Sequence, residues 1–153
     1  IDEFNENNVQ VRFIGSRKGL PEIVQQKMEH AIEATKNNTG IILNLAINYG
    51  GQAEILHAVR TIAAEAANGT LAVEDIDNNV IENHLYTKGL PAPDLLIRPG
   101  GDLRISNFLL WQIAYAEIWT TKVFWPEFTP DHLVEAILAY QGRERRFGGL
   151  VSR

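Results

Sequence analysis

Two arginines and a serine lie close together in the second half of the chain, at Arg98, Arg104 and Ser106. A guanidinium presents a planar set of donors that matches the oxygens of a phosphate group. The pattern around Ser106 predicts the start of a helix, where free backbone N–H groups and a hydroxyl favour an anion. The pair Gly100-Gly101 lets the backbone approach a ligand without interference from Cβ atoms. These residue types at this spacing indicate a diphosphate site.

A purely structural interpretation of the same residues is also open. Arg98 follows a predicted strand, and an arginine in that position often forms an ion pair at the rim of a sheet, here with Asp102. Ser106 would then serve only as a helix N-cap. A strand, a turn and a helix with a basic residue between them are common in α/β proteins. Spacing alone therefore does not separate the two interpretations.

The elements that must position these residues alternate between strand and helix. Apolar runs and period-two alternation predict strands, and apolar residues three and four apart predict helices. The alternation predicts an α/β fold in one domain, with a mostly parallel sheet flanked by helices. Residues 41–47 are apolar almost throughout, which is typical of a central strand covered on both faces. The predicted strands are 9–14, 41–47, 95–97 and 118–121, and the predicted helices are 21–37, the segment between the turns at 48–51 and 68–69, 78–85, 107–116 and one that begins at 130.

Three loops follow the carboxyl ends of predicted parallel strands, at residues 15–19, 48–51 and 98–106. Such ends lie at one edge of a sheet, so we expect the loops to converge on a single site. Asn48 is a further binding candidate, placed at that edge beside paired glycines. The glycines are equally well explained by tight strand-to-helix packing. The basic pair Arg17-Lys18 is more typical of a solvated turn than of a ligand contact.

An apolar segment and a lone acid follow the arginine loop. Residues 107–116 are hydrophobic on every side, which predicts a helix buried in the core or against another subunit. Glu117 comes directly after it, and a carboxylate in such surroundings is costly unless it is paired or bound to a metal ion. His57 and His84 have no second ligand at helical spacing, so they are interpreted as helix-surface residues rather than metal ligands.

Composition excludes several classes of function. The 153 residues are 45% hydrophobic and 22% charged, which suits one domain with a proper core. The net charge of −5 argues against a nucleic-acid partner, which usually meets a basic face. No cysteine is present for a disulfide or a thiolate zinc site. The absence of a signal peptide and of an apolar run near the ~18 residues of a membrane span predicts a cytoplasmic protein.

Four stretches of the sequence resemble the cis-prenyltransferases, and most closely the bacterial undecaprenyl diphosphate synthases. They are Asn-Leu-Ala-Ile-Asn-Tyr-Gly-Gly at 44–51, the segment from Asp94 to Glu117 around the arginine loop, Val-Phe-Trp-Pro at 123–126, and Arg-Glu-Arg-Arg-Phe-Gly-Gly at 143–149. They occur in the order that the family has, and they cover nearly the whole chain. The resemblance is therefore highly specific.

The resemblance implies roles for individual residues. Arg98, Arg104 and Ser106 would bind the diphosphate of isopentenyl diphosphate, and Glu117 would contribute to a Mg²⁺ site. The tail Arg146-Phe-Gly148 would reach across a homodimer towards the partner's site. The implied enzyme is a transferase that adds isopentenyl units in cis to an allylic prenyl diphosphate. Its product would be a long polyprenyl diphosphate of the undecaprenyl type, a precursor of the carrier lipid for cell-wall glycans, and association with a membrane surface through that product is left open.

The chain also departs from the family pattern. It begins at Ile1 without a methionine, and it has no Asp-Gly-Asn sequence, which in the family serves the allylic diphosphate and its metal. We therefore interpret residues 1–153 as the C-terminal part of a single domain whose catalytic aspartate lies upstream, and expect no turnover from this part alone. Asp102-Leu103 stands where the family commonly has glutamate and a polar or basic residue, and Pro99 replaces a small hydroxyl or similar residue.

Two other functions remain open at this stage. A non-catalytic partner subunit of a prenyltransferase would share the fold and contribute only a dimer surface and the arginine tail. Such subunits tend to lack the phosphate-binding residues, whereas Arg98, Arg104 and Ser106 are all present here. An unrelated phosphate-binding α/β module would bind isopentenyl diphosphate without enhancement by Mg²⁺.

Overall fold

A computed structural model describes residues 1–143 of the chain. These residues fall into two compact units, an N-terminal unit of residues 1–89 and a C-terminal unit that begins at Leu90. Each unit contains a pair of parallel strands and at least one helix that packs with it. The prediction of an α/β fold with parallel strands flanked by helices is therefore confirmed.

The N-terminal unit is a strand–helix–strand arrangement followed by further helices. Strands β1 and β2 pair in parallel, with Gln10 opposite Ile42 and Ile14 opposite Ala46. The chain crosses between them through α2, as parallel strands require. The elements are α1 (Asp2–Glu6), β1 (Gln10–Ile14), α2 (Glu22–Thr35), β2 (Ile42–Ala46), α3 (Gly51–Ala67), a 3₁₀ turn (Val73–Asp75) and α4 (Asn78–His84).

The core of this unit joins β1 to its helices. Thr35, at the end of α2, is fully buried; its Oγ1 accepts a hydrogen bond from the Val11 N–H at 3.0 Å and donates to the Ala31 carbonyl at 2.8 Å. Because both hydrogen bonds of this hydroxyl are made, its burial costs little free energy. Thr35 therefore links α2 to β1 without a large desolvation penalty. The buried apolar residues here are Val11, Ile14, Met28, Ala58, Ile62 and Leu85.

Strand β2 differs from the sequence prediction. Its apolar run predicted a central strand covered on both faces, but Ile41, Ile42, Leu45 and Ile47 are exposed. A two-stranded sheet has no central strand, and β2 has β1 as its hydrogen-bonded neighbour in the described part of the chain. The prediction of a covered central strand is wrong for residues 1–143.

The C-terminal unit repeats the parallel pairing. Its elements are β3 (Leu95–Arg98), β4 (Glu117–Thr120), a 3₁₀ turn (Trp125–Glu127) and α5 (Pro130–Gln141), and Leu95 lies opposite Glu117. Helix α5 begins where the sequence predicts: Pro130 occupies its first turn, and the Thr129 N–H donates to Nδ1 of His132 at 3.0 Å. Ala136 of α5 and Ile113 are the buried apolar residues of the described part of this unit.

The predicted helix at 107–116 does not form. The structure has turns there, with Ser106, Asn107 and Leu109 all at positive φ (45°, 65° and 47°). Left-handed residues in such close succession interrupt the repeating helical hydrogen bonds. The expected burial is also incomplete, because the side chains of Tyr115 and Phe108 are exposed while Ile113 is buried. The apolar composition was thus a poor guide to local structure here.

The other predicted helices lie within about two residues of their predicted bounds. Helix α1 was not predicted. Helix α2 occupies most of the predicted 21–37, and α4 most of the predicted 78–85. Helix α3 is the longest described, at 17 residues. Among residues 1–143, the helices lack the combination of length and apolar character that crossing a membrane demands.

Candidate diphosphate site

Arg98 is the last residue of β3, and the pairing of β3 with β4 fixes its backbone. Its side chain is 29% exposed, and its Nη2 lies 3.4 Å from Oδ2 of Asp102. Its Nε is shielded from solvent and has no hydrogen-bond partner within the described residues. The backbone of Arg98 is therefore held at the end of the strand, and its Nε donor is unused within the described residues.

Asp102 also binds the second arginine. Nη2 of Arg104 donates to the same oxygen, Oδ2 of Asp102, at 2.7 Å, and the Arg104 side chain is 67% exposed. The ion pair of Arg98 with Asp102, the structural alternative raised from the sequence, is thus present. At the same time the two guanidiniums meet at one anionic oxygen, so they lie close enough together to donate to a single anion.

The glycine turn shapes the loop through its backbone. The Gly100 N–H donates to the Val123 carbonyl and the Gly101 N–H to the Thr121 carbonyl, both at 2.8 Å. Both glycines have positive φ, at 93° and 78°, which favours glycine over other residues. Because these two amides are already engaged, the turn contributes conformation, and the charged side chains are left to bind an anion.

Ser106 lies in a different setting from the one predicted. It is exposed and sits in a turn at φ 45°, so no helix N-terminus stands beside its hydroxyl. The prediction that a helix N-terminus at Ser106 would help to bind an anion is therefore wrong. The cause is the same left-handed backbone that replaces the predicted helix. The Ser106 hydroxyl is exposed, two residues after Arg104 in the sequence.

A pocket of about 280 Å³ adjoins Arg98 in the C-terminal unit. Arg98 is the charged residue in its lining, and the other lining residues are aliphatic or aromatic. An apolar cavity next to an arginine suits a ligand with an anionic head and a hydrocarbon part. Its lining residues are Leu96, Ile97, Arg98, Pro99, Ile105, Phe108 and Trp125.

The two candidate loops of the N-terminal unit lie against each other. Nδ2 of Asn48 donates to the carbonyls of Ser16 at 2.9 Å and Lys18 at 3.2 Å, and the Ser16 N–H donates back to the Asn48 carbonyl at 3.2 Å. The predicted meeting of loops 15–19 and 48–51 is confirmed, and the Asn48 amide holds them together. Arg17 pairs with Glu29 at 2.5 Å in an exposed ion pair, as expected of a surface turn. The convergence of these loops with 98–106 stays a prediction.

Glu117, the predicted metal ligand, starts β4 and has a cationic partner. Its Oε2 accepts a hydrogen bond from Nη1 of Arg143 at 2.5 Å, and Arg143 also donates to the Ile118 carbonyl at 3.1 Å. Residues 1–143 contain no group of three side chains arranged to hold a metal ion. The carboxylate alone still suits Mg²⁺, which is commonly held by one or two carboxylates with phosphate oxygens and water as the other ligands. Arg146 and Gly148 lie outside the described residues.

Sequence reasoning missed one buried acid, Glu54 of α3. It is fully buried, and its carboxylate accepts hydrogen bonds from the Tyr49 hydroxyl at 2.6 Å and the Tyr86 N–H at 2.7 Å. The available signal was its spacing, because Glu54 stands four and eight residues before the buried Ala58 and Ile62. Apolar content is a poor guide to the inward face of α3, because Leu56 and Val59 are exposed.

His84 is also more constrained than an ordinary surface histidine. Its Nδ1 lies 2.6 Å from the Val80 carbonyl and its Nε2 3.1 Å from the Glu65 carboxylate, and the side chain is 17% exposed. The hydrogen bond to the Val80 carbonyl, followed by that to Glu65, raises the pKa of His84 above its ordinary value. His57 stacks on Tyr86 at 5.5 Å. Neither histidine belongs to a metal cluster within the described residues.

Comparison with known proteins shows which family this chain resembles. The family model described as "Putative undecaprenyl diphosphate synthase" matches residues 1–148. An isoprenyl transferase of Geobacillus kaustophilus is 50% identical over 153 residues, which are 100% of this chain and 60% of that protein. An isoprenyl transferase of Bacillus thuringiensis is 51% identical over 150 residues, 98% of this chain and 58% of that protein. The chain thus spans about 60% of the length of these curated relatives.

Solved structures agree with the sequence comparison. The crystal structure of lavandulyl diphosphate synthase from Lavandula x intermedia, in complex with dimethylallyl diphosphate, matches with a TM-score of 0.90 and 39% identity, covering 92% of this chain and 61% of that one. That of a probable undecaprenyl diphosphate synthase from Campylobacter jejuni matches with a TM-score of 0.81 and 34% identity, covering 97% and 67%. With a family model spanning nearly all of its residues and relatives of this similarity, the chain belongs to the cis-prenyltransferase family.

Proposed function

We propose that the full-length protein adds isopentenyl diphosphate units in cis to an allylic prenyl diphosphate and releases pyrophosphate. The product is a long polyprenyl diphosphate of the undecaprenyl type, a precursor of the carrier lipid for cell-wall glycans. The observation that carries this proposal is the meeting of Arg98 and Arg104 at one anionic oxygen beside a pocket with an apolar wall. Membership of the family supplies the reaction class.

The diphosphate of isopentenyl diphosphate binds between the two guanidiniums in this proposal. Arg98 is fixed by its strand and supplies a positioned cation, whereas the more exposed Arg104 adapts to the ligand. Ser106 adds a hydroxyl donor to a phosphate oxygen. Bidentate guanidinium contacts fix the direction of a diphosphate as well as its position. The hydrocarbon part of the acceptor is thereby oriented for attack on the allylic carbon.

Positioning and electrostatics account for the rate. The bond from the allylic carbon to its diphosphate breaks and negative charge grows on the leaving diphosphate, while the double bond of the acceptor forms the new carbon–carbon bond. The acceptor then loses a proton, which restores a double bond in the product. Fixed cations near developing negative charge lower the barrier without reorganisation, and holding the two substrates in contact removes much of the entropic cost. Mg²⁺, when bound, neutralises phosphate charge, and we propose Glu117 as its carboxylate ligand in this part of the chain.

The partners follow from the same proposal. The substrates are isopentenyl diphosphate and an allylic prenyl diphosphate, and the protein acts as a cytoplasmic homodimer that meets the membrane surface through its lipid product. Arg146 and Gly148 are proposed to reach the partner's diphosphate site, and Asn48 to hold the neighbouring loop in place through its contact with Ser16. Nucleic acid is not a proposed partner, given the net charge of −5.

Calorimetric titration of the chain with isopentenyl diphosphate tests the site. Arg98→Ala and Arg104→Ala should each weaken binding by roughly tenfold to a hundredfold, since a hydrogen bond to a charged group contributes about 1.5–3 kcal/mol. Arg60→Ala is the matched control, because Arg60 is an exposed arginine of α3 in the N-terminal unit. Its affinity should stay within about twofold of wild type.

The same titration separates the competing interpretations. Binding that is equal in Arg98→Ala and Arg60→Ala would contradict the assignment of the diphosphate site. Binding that depends on Arg98 but is indifferent to Mg²⁺ would remove Glu117 from the proposal. Incorporation of isopentenyl units by the full-length protein, abolished by Arg98→Ala, distinguishes the enzyme from a partner subunit that only binds.

A further inference from the structure

The space between the two guanidiniums already holds an anion. Oδ2 of Asp102 lies 3.4 Å from Nη2 of Arg98 and 2.7 Å from Nη2 of Arg104. We propose that Asp102 is an internal competitor, whose carboxylate fills the position of the ligand's diphosphate in the free protein and thereby sets the affinity of the site. This inference rests on the proposed function, because it assumes that the diphosphate binds between Arg98 and Arg104.

Electrostatics require the carboxylate to give way. A diphosphate that reaches both Nη2 atoms would approach Oδ2 of Asp102 at close to hydrogen-bond range. Two anions at that separation repel each other strongly where solvent screens them only in part. The carboxylate and the ligand therefore cannot share these donors, and the Asp102 side chain must rotate out when the diphosphate enters.

The local structure makes this exchange easy. Asp102 lies in the irregular loop between β3 and β4, and its side chain is 43% exposed, so water can receive the carboxylate when it leaves. Exposed ion pairs of this kind contribute little to stability. Nε of Arg98 has no partner within the described residues, so Asp102 uses only part of what the guanidinium offers. A ligand with several phosphate oxygens satisfies more donors than one carboxylate oxygen does.

Affinity for inorganic pyrophosphate, measured by calorimetry on the whole chain, tests the inference. Asp102→Asn keeps the shape of the side chain and removes its charge, and it should bind pyrophosphate about threefold to tenfold more tightly than wild type. Asp102→Glu keeps a competing carboxylate and should stay within about twofold. Glu135→Gln is the matched control, since it removes one charge from an exposed position on α5 and should also change affinity by less than about twofold. Asp102→Ser serves as a second neutral variant. Because the expected result is a gain in affinity, structural damage by a substitution cannot produce it.

Each outcome has a defined meaning. Tighter binding in Asp102→Asn and Asp102→Ser, but not in Asp102→Glu or Glu135→Gln, supports the competitor role. Unchanged or weaker binding in both neutral variants overturns the competitor role. If Arg98→Ala still loses binding in that case, the proposed diphosphate site is retained without the competitor. Binding that is indifferent to Arg98→Ala, or absent in every variant, overturns the proposed site and the inference together.

Discussion

The fully buried carboxylate of Glu54 accepts a hydrogen bond from the backbone N–H of Tyr86 at 2.7 Å, across 32 residues of chain. It also accepts a hydrogen bond from the Tyr49 hydroxyl at 2.6 Å. Tyr49 lies in the loop after β2, beside Asn48, and Tyr86 follows α4. One carboxylate in α3 thus links the loop that carries Asn48 to the segment beyond α4, all within the N-terminal unit.

Replacing Glu54 with glutamine should destabilise the protein by about 2–4 kcal/mol. The neutral amide has one acceptor oxygen in place of two, so one of the donors from Tyr49 and Tyr86 keeps an uncharged acceptor and the other faces the NH2 group in a buried site. Urea denaturation followed by far-ultraviolet circular dichroism measures the loss. Glu82→Gln, at an exposed position of α4, should change the unfolding free energy by less than about 0.5 kcal/mol. Equal stability of the two variants would show that the Glu54 charge is not needed.

The contact of His84 with Glu65 and the Val80 carbonyl predicts a pH-dependent stability. The pKa of His84 is raised in the folded protein, so its protonated form stabilises the fold. This contribution is fully present below the ordinary pKa of 6.5 and is lost as the pH rises through the raised value. The difference in unfolding free energy between wild type and His84→Gln should therefore be larger at pH 5.5 than at pH 9. The exposed His30→Gln is the control, and a difference that grows towards alkaline pH would contradict the assignment.

Local signals explain which elements could be predicted. Alternation in β1, the proline before α2, and Thr129-Pro130 at the start of α5 act within a few residues, and those elements appear where they were expected. The turn at 107–116 escaped prediction because an apolar run does not reveal the left-handed backbone at Ser106, Asn107 and Leu109. The exposure of β2 was not predicted, because the burial of a strand depends on which other elements cover it.

The site was predictable in its residue types and less so in its contacts. Arg98, Arg104 and Asp102, the last as a possible partner of Arg98, were identified from the sequence, yet only the structure shows both arginines on one oxygen of that aspartate. The spacing of Glu54 from Ala58 and Ile62 could have indicated its burial, but its hydrogen bond with Tyr86, 32 residues away, could not be found from sequence periodicity. Long-range polar pairs are set by tertiary packing.

Gly15 should tolerate no side chain, unlike Gly69. A Cβ at Gly15, where φ is +117°, would lie 2.1 Å from the Ile47 carbonyl oxygen, whereas a Cβ at Gly69, where φ is +78°, meets nothing within 4 Å. Gly69→Ala should cost about 1–2 kcal/mol for the left-handed backbone alone. Gly15→Ala should cost about 3–5 kcal/mol, because a clash with backbone is added to that strain. Urea denaturation measures both, and similar losses would contradict the close approach of loop 15–19 to the end of β2.

Arg143 should compete with Mg²⁺ for Glu117. The guanidinium already donates to Oε2 of Glu117 at 2.5 Å, and a metal ion bound to the same carboxylate must displace or share it. Removing this competitor with Arg143→Gln should increase the enhancement of pyrophosphate binding by Mg²⁺ by about threefold to tenfold, whereas Glu117→Gln should abolish the enhancement. Titrations with and without Mg²⁺ measure both effects, with Arg60→Ala as the control. A smaller enhancement in Arg143→Gln than in wild type would mean that the arginine positions the carboxylate for the metal and does not compete with it.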